Sequence, residues 1–222
     1  MSTNNHGKLR LLELKEAQSY DTLKIGIDVS VDATGMCMIF GKTVALFKFT
    51  PHLPPEDDSS DDVNFVQFNK IYLQTSSSAR ERSKMHTRHT LANKIVDAID
   101  MFMQEIWPNS PANIQIVTEG SAYGYAAHNS NSLVELAEFR SVILERVYHR
   151  WPLGTHLSFD VIAPKSLKKH ATGDGKADKL KMIEAAIAKL THIHWAGKID
   201  DECDALHLCL YEPLSNPEPR LW

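Results

Sequence analysis

Two carboxylates in this chain close apolar runs, where a charge is hardest to keep. Asp28 ends LKIGID and Glu119 ends IQIVTE, and an unpaired charge in either place would cost several kcal/mol if truly buried. A second acidic pair, Asp201 and Asp204 in DDECDALHLCLY, is spaced by three residues. On a helix that spacing projects both side chains from one face toward one point. Four carboxylates gathered in one place repel each other unless cations neutralise them. All-oxygen donors select hard ions, magnesium or manganese, over zinc. Two such ions about 4 Å apart would clamp the attacking and leaving oxygens of an in-line phosphodiester displacement. Purely structural readings compete residue by residue. Asp28 could begin a turn; Asp200 suits an N-cap, with Asp201 and Glu202 as first-turn acids favoured by the helix dipole. Glu119, followed by Gly120, has the weakest structural excuse. His207 lies one turn beyond Asp204, placed either to reach a metal or, as the preferred reading, simply to pack and hydrogen-bond. His192 and His194 form an HxH pair with no further zinc-ligand pattern. Cys203, between the aspartates, is expected to face the core.

Cations gather close by in sequence. Lys165, Lys168, Lys169, Lys176, Lys179 and Lys181 place six positive charges within seventeen residues, interrupted by Gly173 and Gly175. Glycines there permit positive backbone angles and close approach of a phosphate, and the lysines make a local phosphate-binding surface. The bland alternative is a solvated helix face. Arg80, Arg82, Lys84, Arg88 and His89 form a second basic group, either a DNA contact or a helix start.

The elements that must carry these side chains are legible in outline. Residues 1–22 form an N-terminal arm or a short helix. LKIGIDV, MCMIFG and TVALFKF read as a three-strand meander turning at Gly41-Lys42. Residues 51–62, with three prolines and five acids but no Lys or Arg, read as an exposed acidic insertion loop. VNFVQFNKIYLQTS suggests an extra strand or strand pair. Leu91, Ile95, Ala98, Ile99, Phe102 and Ile106 recur at helical spacing up to Pro108. The strand IQIVTEG follows, then a helix over residues 132–150 apolar on more than one face. That width suggests burial against the sheet and against a partner subunit. LSFDVIAP reads as a strand broken by Pro164. KADKLKMIEAAIAKL is a helix with Leu180, Ile183, Ile187 and Leu190 inward, and DDECDALHLCLY is the last helix. Three meandering strands followed by alternating helices and strands predict an α/β fold, a mixed sheet with helices on both faces. A single domain is expected over residues 23–212, with a C-terminal tail at 213–222.

Composition narrows the classes. With 222 residues, 43% hydrophobic and 23% charged, the chain suits one globular domain with a real core. A net charge of −4 excludes a polycation that coats nucleic acid or membrane by bulk charge. Three cysteines without a CxxC pair suggest neither a disulfide framework nor a cysteine zinc site. No apolar run reaches the roughly 18 residues of a membrane span, and the first residues carry no apolar signal core. The expectation is a soluble, intracellular protein that is not secreted and has no membrane partner.

Together these residues resemble the RuvC-type Holliday junction resolvases, a branch of the RNase H-like nucleases. IGIDVSVDATG resembles that family's opening strand and turn, with Asp28 at the catalytic aspartate and Gly35 at the glycine seven positions on. IVTEG supplies the glutamate as Glu119. LKKHATGDGKADKLKM resembles the lysine and glycine segment, with Lys168, Gly173, Gly175, Ala177 and Lys179 in register, and DECDALHL resembles the closing helix. The match runs in order from about Lys24 to Leu210. The family implies an RNase H-like sheet, two magnesium ions (manganese a plausible substitute), a homodimer and paired nicks in a four-way junction. It would place Lys179 near the scissile phosphate and Lys168 on the backbone nearby, with Lys169, Lys176, Lys181, Arg80 and Arg82 as further DNA contacts. The family also has an aromatic residue three positions after the glutamate. Here Ala122 stands there, leaving Tyr123 and Tyr125 just beyond, Tyr123 being the stacking candidate.

Three other functions compete. A relative with relaxed choice would cut forks, flaps or packaged replication intermediates. A non-catalytic DNA-binding module would have no need of intact carboxylates. An actin-like ATPase needs a longer two-lobed chain and a second glycine-rich nucleotide motif, which this sequence lacks.

Overall fold

The structure, a computed structural model, describes residues 9–30, 33–50, 69–72, 80–106, 108–109, 111–120, 130–151, 156–191 and 199–212. The acidic loop, the C-terminal tail and the first eight residues lie outside these.

A short strand β1 (Leu12–Glu13) precedes β2 (Thr22–Asp28), β3 (Thr34–Phe40) and β4 (Thr43–Thr50), the expected antiparallel meander. Strand β5 (Asn69–Tyr72) pairs in parallel with β4. Then come α1 (Arg80–Glu105), β6 (Asn113–Glu119), α2 (Ser130–Arg150) and β7 (His156–Ile162). The chain continues through α3 (Pro164–Thr172), α4 (Lys179–Lys189) and α5 (Asp200–Leu210). The sheet order is β1-β4-β3-β2-β6-β7, with β6 parallel to both β2 and β7. This is the α/β mixed sheet, helices on both faces, that the sequence predicts.

Strand alternation sorts the two faces. Leu23, Ile25 and Ile27 of β2, Met36 and Met38 of β3, and Phe47 and Phe49 of β4 bury against α1 and α2. Cys37, Ile39, Val44 and Leu46 face the other way, against α4 and α5, and Val117 packs with α3, α4 and α5. Because side chains alternate along a strand, Asp28, Gly35, Lys48 and Glu119 all fall on the α5 face.

Several local expectations change. The segment before β2, expected as an arm or short helix, contributes β1 to the sheet through β4 and buries Leu9 and Leu14. Pro164 begins α3 rather than merely ending a strand: it occupies the first helical turn, where its missing N–H costs nothing. Helix α4 starts at Lys179 because Asp178 caps it, accepting a 2.9 Å hydrogen bond from the Lys181 N–H. Met182, Ala186 and Leu190 are buried and Ile183 and Ile187 half-buried, while Leu180, expected inward, is 71% exposed. Helix α2 buries Phe139, Ile143 and Val147 beside α1 and leaves Val134 and Tyr148 exposed. Among the described residues no helix is long and apolar enough to cross a membrane.

Candidate active site

The register of the sheet builds the site. Asp28 pairs with Gly35, and Gly35 with Lys48. On the other side Ile27 pairs with Thr118, the residue before Glu119. A row of Glu119, Asp28, Gly35 and Lys48 therefore crosses four neighbouring strands on one face.

Helix α5 descends onto this row because two positions beneath it lack side chains. A Cβ on Gly26 would lie 2.2 Å from the Ala205 carbonyl oxygen, and one on Gly35 would lie 2.2 Å from the Asp201 carbonyl oxygen. Side chains at either place would lift the helix away. Cys209 fastens its far end: the Gly26 N–H donates to Cys209 Sγ at 2.9 Å, and the thiol donates to the Cys37 carbonyl at 3.0 Å. Asp201 thus comes down over Gly35, between Asp28 and Lys48.

The carboxylates share one electrostatic environment. Burial pushes Asp28 up to about 8, and the charges of Glu119, Asp204, Asp201 and Asp200 add to it. Burial and Asp204 raise Glu119 to about 7, opposed by Lys168 and Arg140. Burial and Asp200 raise Asp204 to about 6, opposed by Lys179 and Lys168. The structure therefore brings together Asp28, Glu119, Asp201 and Asp204, with Lys168 and Lys179 at the edge.

Lys179 is less simply placed than its sequence position suggests. Its ammonium is hydrogen-bonded to Asp200 Oδ2, which holds it above the ordinary lysine value. Asp200 itself is the first residue of α5, with Ile199 in the cap position, so it is not the N-cap that the sequence suggests. Gly173 ends α3 in the left-handed region (φ 79°), its N–H donating to the Lys169 carbonyl. Gly175 packs closely: a Cβ there would lie 3.2 Å from the Lys165 carbonyl oxygen. Lys165, Lys169, Lys176 and Lys181 are exposed around this turn.

His207 is turned away from the carboxylates. Its ring is buried and hydrogen-bonded through Nε2 to the Met182 carbonyl at 2.9 Å, among His170 and Lys189. Burial lowers it below the usual histidine value, and its Nε2 is committed to the α4 backbone rather than to the carboxylates. Cys203 is buried in the core as expected. Arg88 bonds Glu138 at 2.9 Å, tying α1 to α2. Arg80 and Arg82 fall in the first turn of α1, their side chains outside the described residues, as are Tyr123, His192 and His194.

Lys48 and Arg140 escape a sequence reading at the site, and Glu202 enters it only as a first-turn acid. Lys48 Nζ lies 2.9 Å from Asp201 Oδ2 and 3.5 Å from Glu202 Oε2. Glu202 is fully buried, and burial raises it to about 7. Arg140 of α2 directs its charge at Glu119, which partly offsets the lowering that burial imposes on the guanidinium. The only sequence signal for Lys48 and Arg140 is a lone cation inside an apolar pattern, TVALFKFT and EFRSVIL.

The donor set, oxygen-only and crowded enough to raise three carboxyls, fits a hard divalent cation. Among the described residues no three acidic, histidine or cysteine side chains stand ready as an ion site. Asp201 and Asp200 are instead drawn to Lys48 and Lys179.

A carboxylate cluster at the ends of adjacent parallel strands, edged by lysines on a mixed α/β sheet, is the arrangement that suits a phosphodiester-processing hydrolase. The model of one family, crossover junction endodeoxyribonuclease RuvC, matches residues 69–211, more than half of the chain. The chain belongs to the RuvC family and is a nuclease of that junction-resolving kind. The matched stretch holds Glu119, Lys168, Lys179, Asp201 and Asp204, whereas Asp28 enters through the geometry of β2. A comparison with curated proteins returned no match. Among solved structures, Thermus thermophilus RuvC is similar at 14% identity, covering 85% of this chain and 90% of that one, with a TM-score of 0.45. The yeast mitochondrial Holliday junction resolvase Ydc2 is similar at 13% identity, covering 87% and 77%, with a TM-score of 0.46. Thermus thermophilus RuvC in complex with a Holliday junction substrate is similar at 12%, covering 85% and 90%, with a TM-score of 0.41.

Proposed function

We propose that this chain resolves four-way DNA junctions by metal-dependent hydrolysis, with Asp28, Glu119, Asp201 and Asp204 as ligands for two magnesium ions, manganese substituting. The observation that carries this reading is the joint elevation of Asp28, Glu119 and Asp204 by burial and mutual repulsion on one face of the sheet. Divalent ions bound there would neutralise the cluster and polarise a phosphodiester.

The chain's own residues do the rest. Lys168, whose charge bears on both Glu119 and Asp204, holds a DNA phosphate beside the ligands. Lys179 balances Asp200 in the free chain and reaches the scissile phosphate from a largely exposed position. Lys169, Lys176 and Lys181, carried on α3, the turn after it and α4, bind the flanking backbone, with Gly173 and Gly175 shaping the turn. Arg140 keeps Glu119 toward its charged form. Tyr123, Arg80 and Arg82 stay in the proposal as further DNA contacts. Paired nicks need two such sites, so the active species is a homodimer, assigned to α2, whose Val134 and Tyr148 are exposed.

With magnesium, the protein should nick a synthetic four-way junction. Asp28→Asn and Glu119→Gln should each lower the rate roughly 100-fold or more, the scale of losing one electrostatic stabiliser of a transition state, while still binding the junction. Full activity in either variant would refute the ligand assignment.

A further inference from the structure

Strand β4 sends three side chains toward α5: Val44, Leu46 and Lys48. The first two are core residues; the third is a cation in their register, mostly enclosed, its side chain 18% exposed. Its ammonium lies between two carboxylates of different standing. Glu202, at 3.5 Å, is wholly buried and is not among the charges that raise Asp28. Asp201, at 2.9 Å, does bear on Asp28. The two carboxylates together pair the enclosed ammonium.

A divalent ion approaching the Asp201 oxygen that Lys48 now occupies competes with the ammonium for it, and their like charges repel at such range. We propose that Lys48 is a positioning residue, an internal cation anchored by Glu202. It holds Asp201 in the metal-free chain, and an ion binding at that Asp201 oxygen competes with it. This inference rests on the assignment of Asp201 as a metal ligand. Glu202 gives the displaced ammonium a place to stay, so the exchange leaves no unpaired buried carboxylate.

The test is manganese binding to the full chain, by calorimetry at fixed pH and ionic strength. Lys48→Met combined with Glu202→Gln removes the ammonium without stranding a buried charge. It should tighten Mn2+ binding about fivefold, the upper end of what one partly exposed ion pair contributes. In an Asp201→Asn background the same pair of substitutions should leave Mn2+ affinity unchanged. Lys48→Arg keeps the charge and should bind Mn2+ no more tightly than the unaltered chain. Unchanged or weaker Mn2+ binding in Lys48→Met/Glu202→Gln would overturn the proposal. So would equal tightening with and without Asp201, or tighter binding in Lys48→Arg. If instead Asp28→Asn, Glu119→Gln and Asp201→Asn all bind Mn2+ like the unaltered chain, it is the ligand assignment that fails.

Discussion

Asp28, Glu119 and Asp204 are raised to about 8, 7 and 6, and that fixes a sign for pH dependence. Carboxyls raised in the folded state bind more protons than in the unfolded chain. The stability they lend is complete below the unfolded values near 4 and is lost as pH rises through the folded ones. Melting temperature in chelator should therefore fall between about pH 5 and pH 8.5, and saturating magnesium should flatten that fall. Asp28→Asn should blunt the slope; a metal-free melting temperature that rises over this range would contradict the cluster. Lys48 makes a second prediction. Lys48→Met alone strands Glu202 and should destabilise the fold by roughly 3–5 kcal/mol in denaturant titration, with Glu202→Gln restoring much of the loss. Asp28 and Glu119 could be read from sequence because each interrupts an apolar run at a strand end. Lys48 and Arg140 could not, because a lone cation in an apolar pattern does not reveal which distant acid it meets.

At the scale of elements, the seating of α5 on β2 and β3 decides whether the carboxylates converge. Gly26→Ala would force a methyl against the Ala205 carbonyl, which belongs to backbone and cannot swing aside. It should cost about 1–3 kcal/mol as overpacking, read from the denaturant midpoint. Gly35→Ala pushes directly on Asp201 and should lower cleavage more than its stability loss accounts for. Normal activity in folded Gly35→Ala would show that Asp201 need not sit where it does. The meander, α2 and α5 were legible because their periodicities are long and clean. Helix α3 was not, since Pro164 reads equally as the end of β7 or the start of a helix. The inward face of α4 is legible only in part: Leu180 fits a helical stripe, but the buried stripe runs through Met182, Ala186 and Leu190.

For the whole molecule, the net charge of −4 averages acidic and basic parts of the sequence. Without the four proposed ligands and the five acids of residues 51–62, 19 acids stand against 24 bases. A local basic surface around α3 and α4 should bind junctions with an affinity that falls linearly in log–log against salt. Salt-independent binding would contradict it. The dimer assigned to α2 predicts a concentration-dependent monomer–dimer equilibrium in sedimentation, weakened by Val134→Glu; a monomer at all concentrations would remove that assignment. Most direct for the central claim is to map the nicks made in a synthetic four-way junction, with magnesium and with chelator. The prediction is paired nicks at symmetric positions on opposed strands, dependent on the metal and much faster than cutting of linear duplex. Equal cutting of linear duplex, or undiminished cutting in chelator, would contradict it.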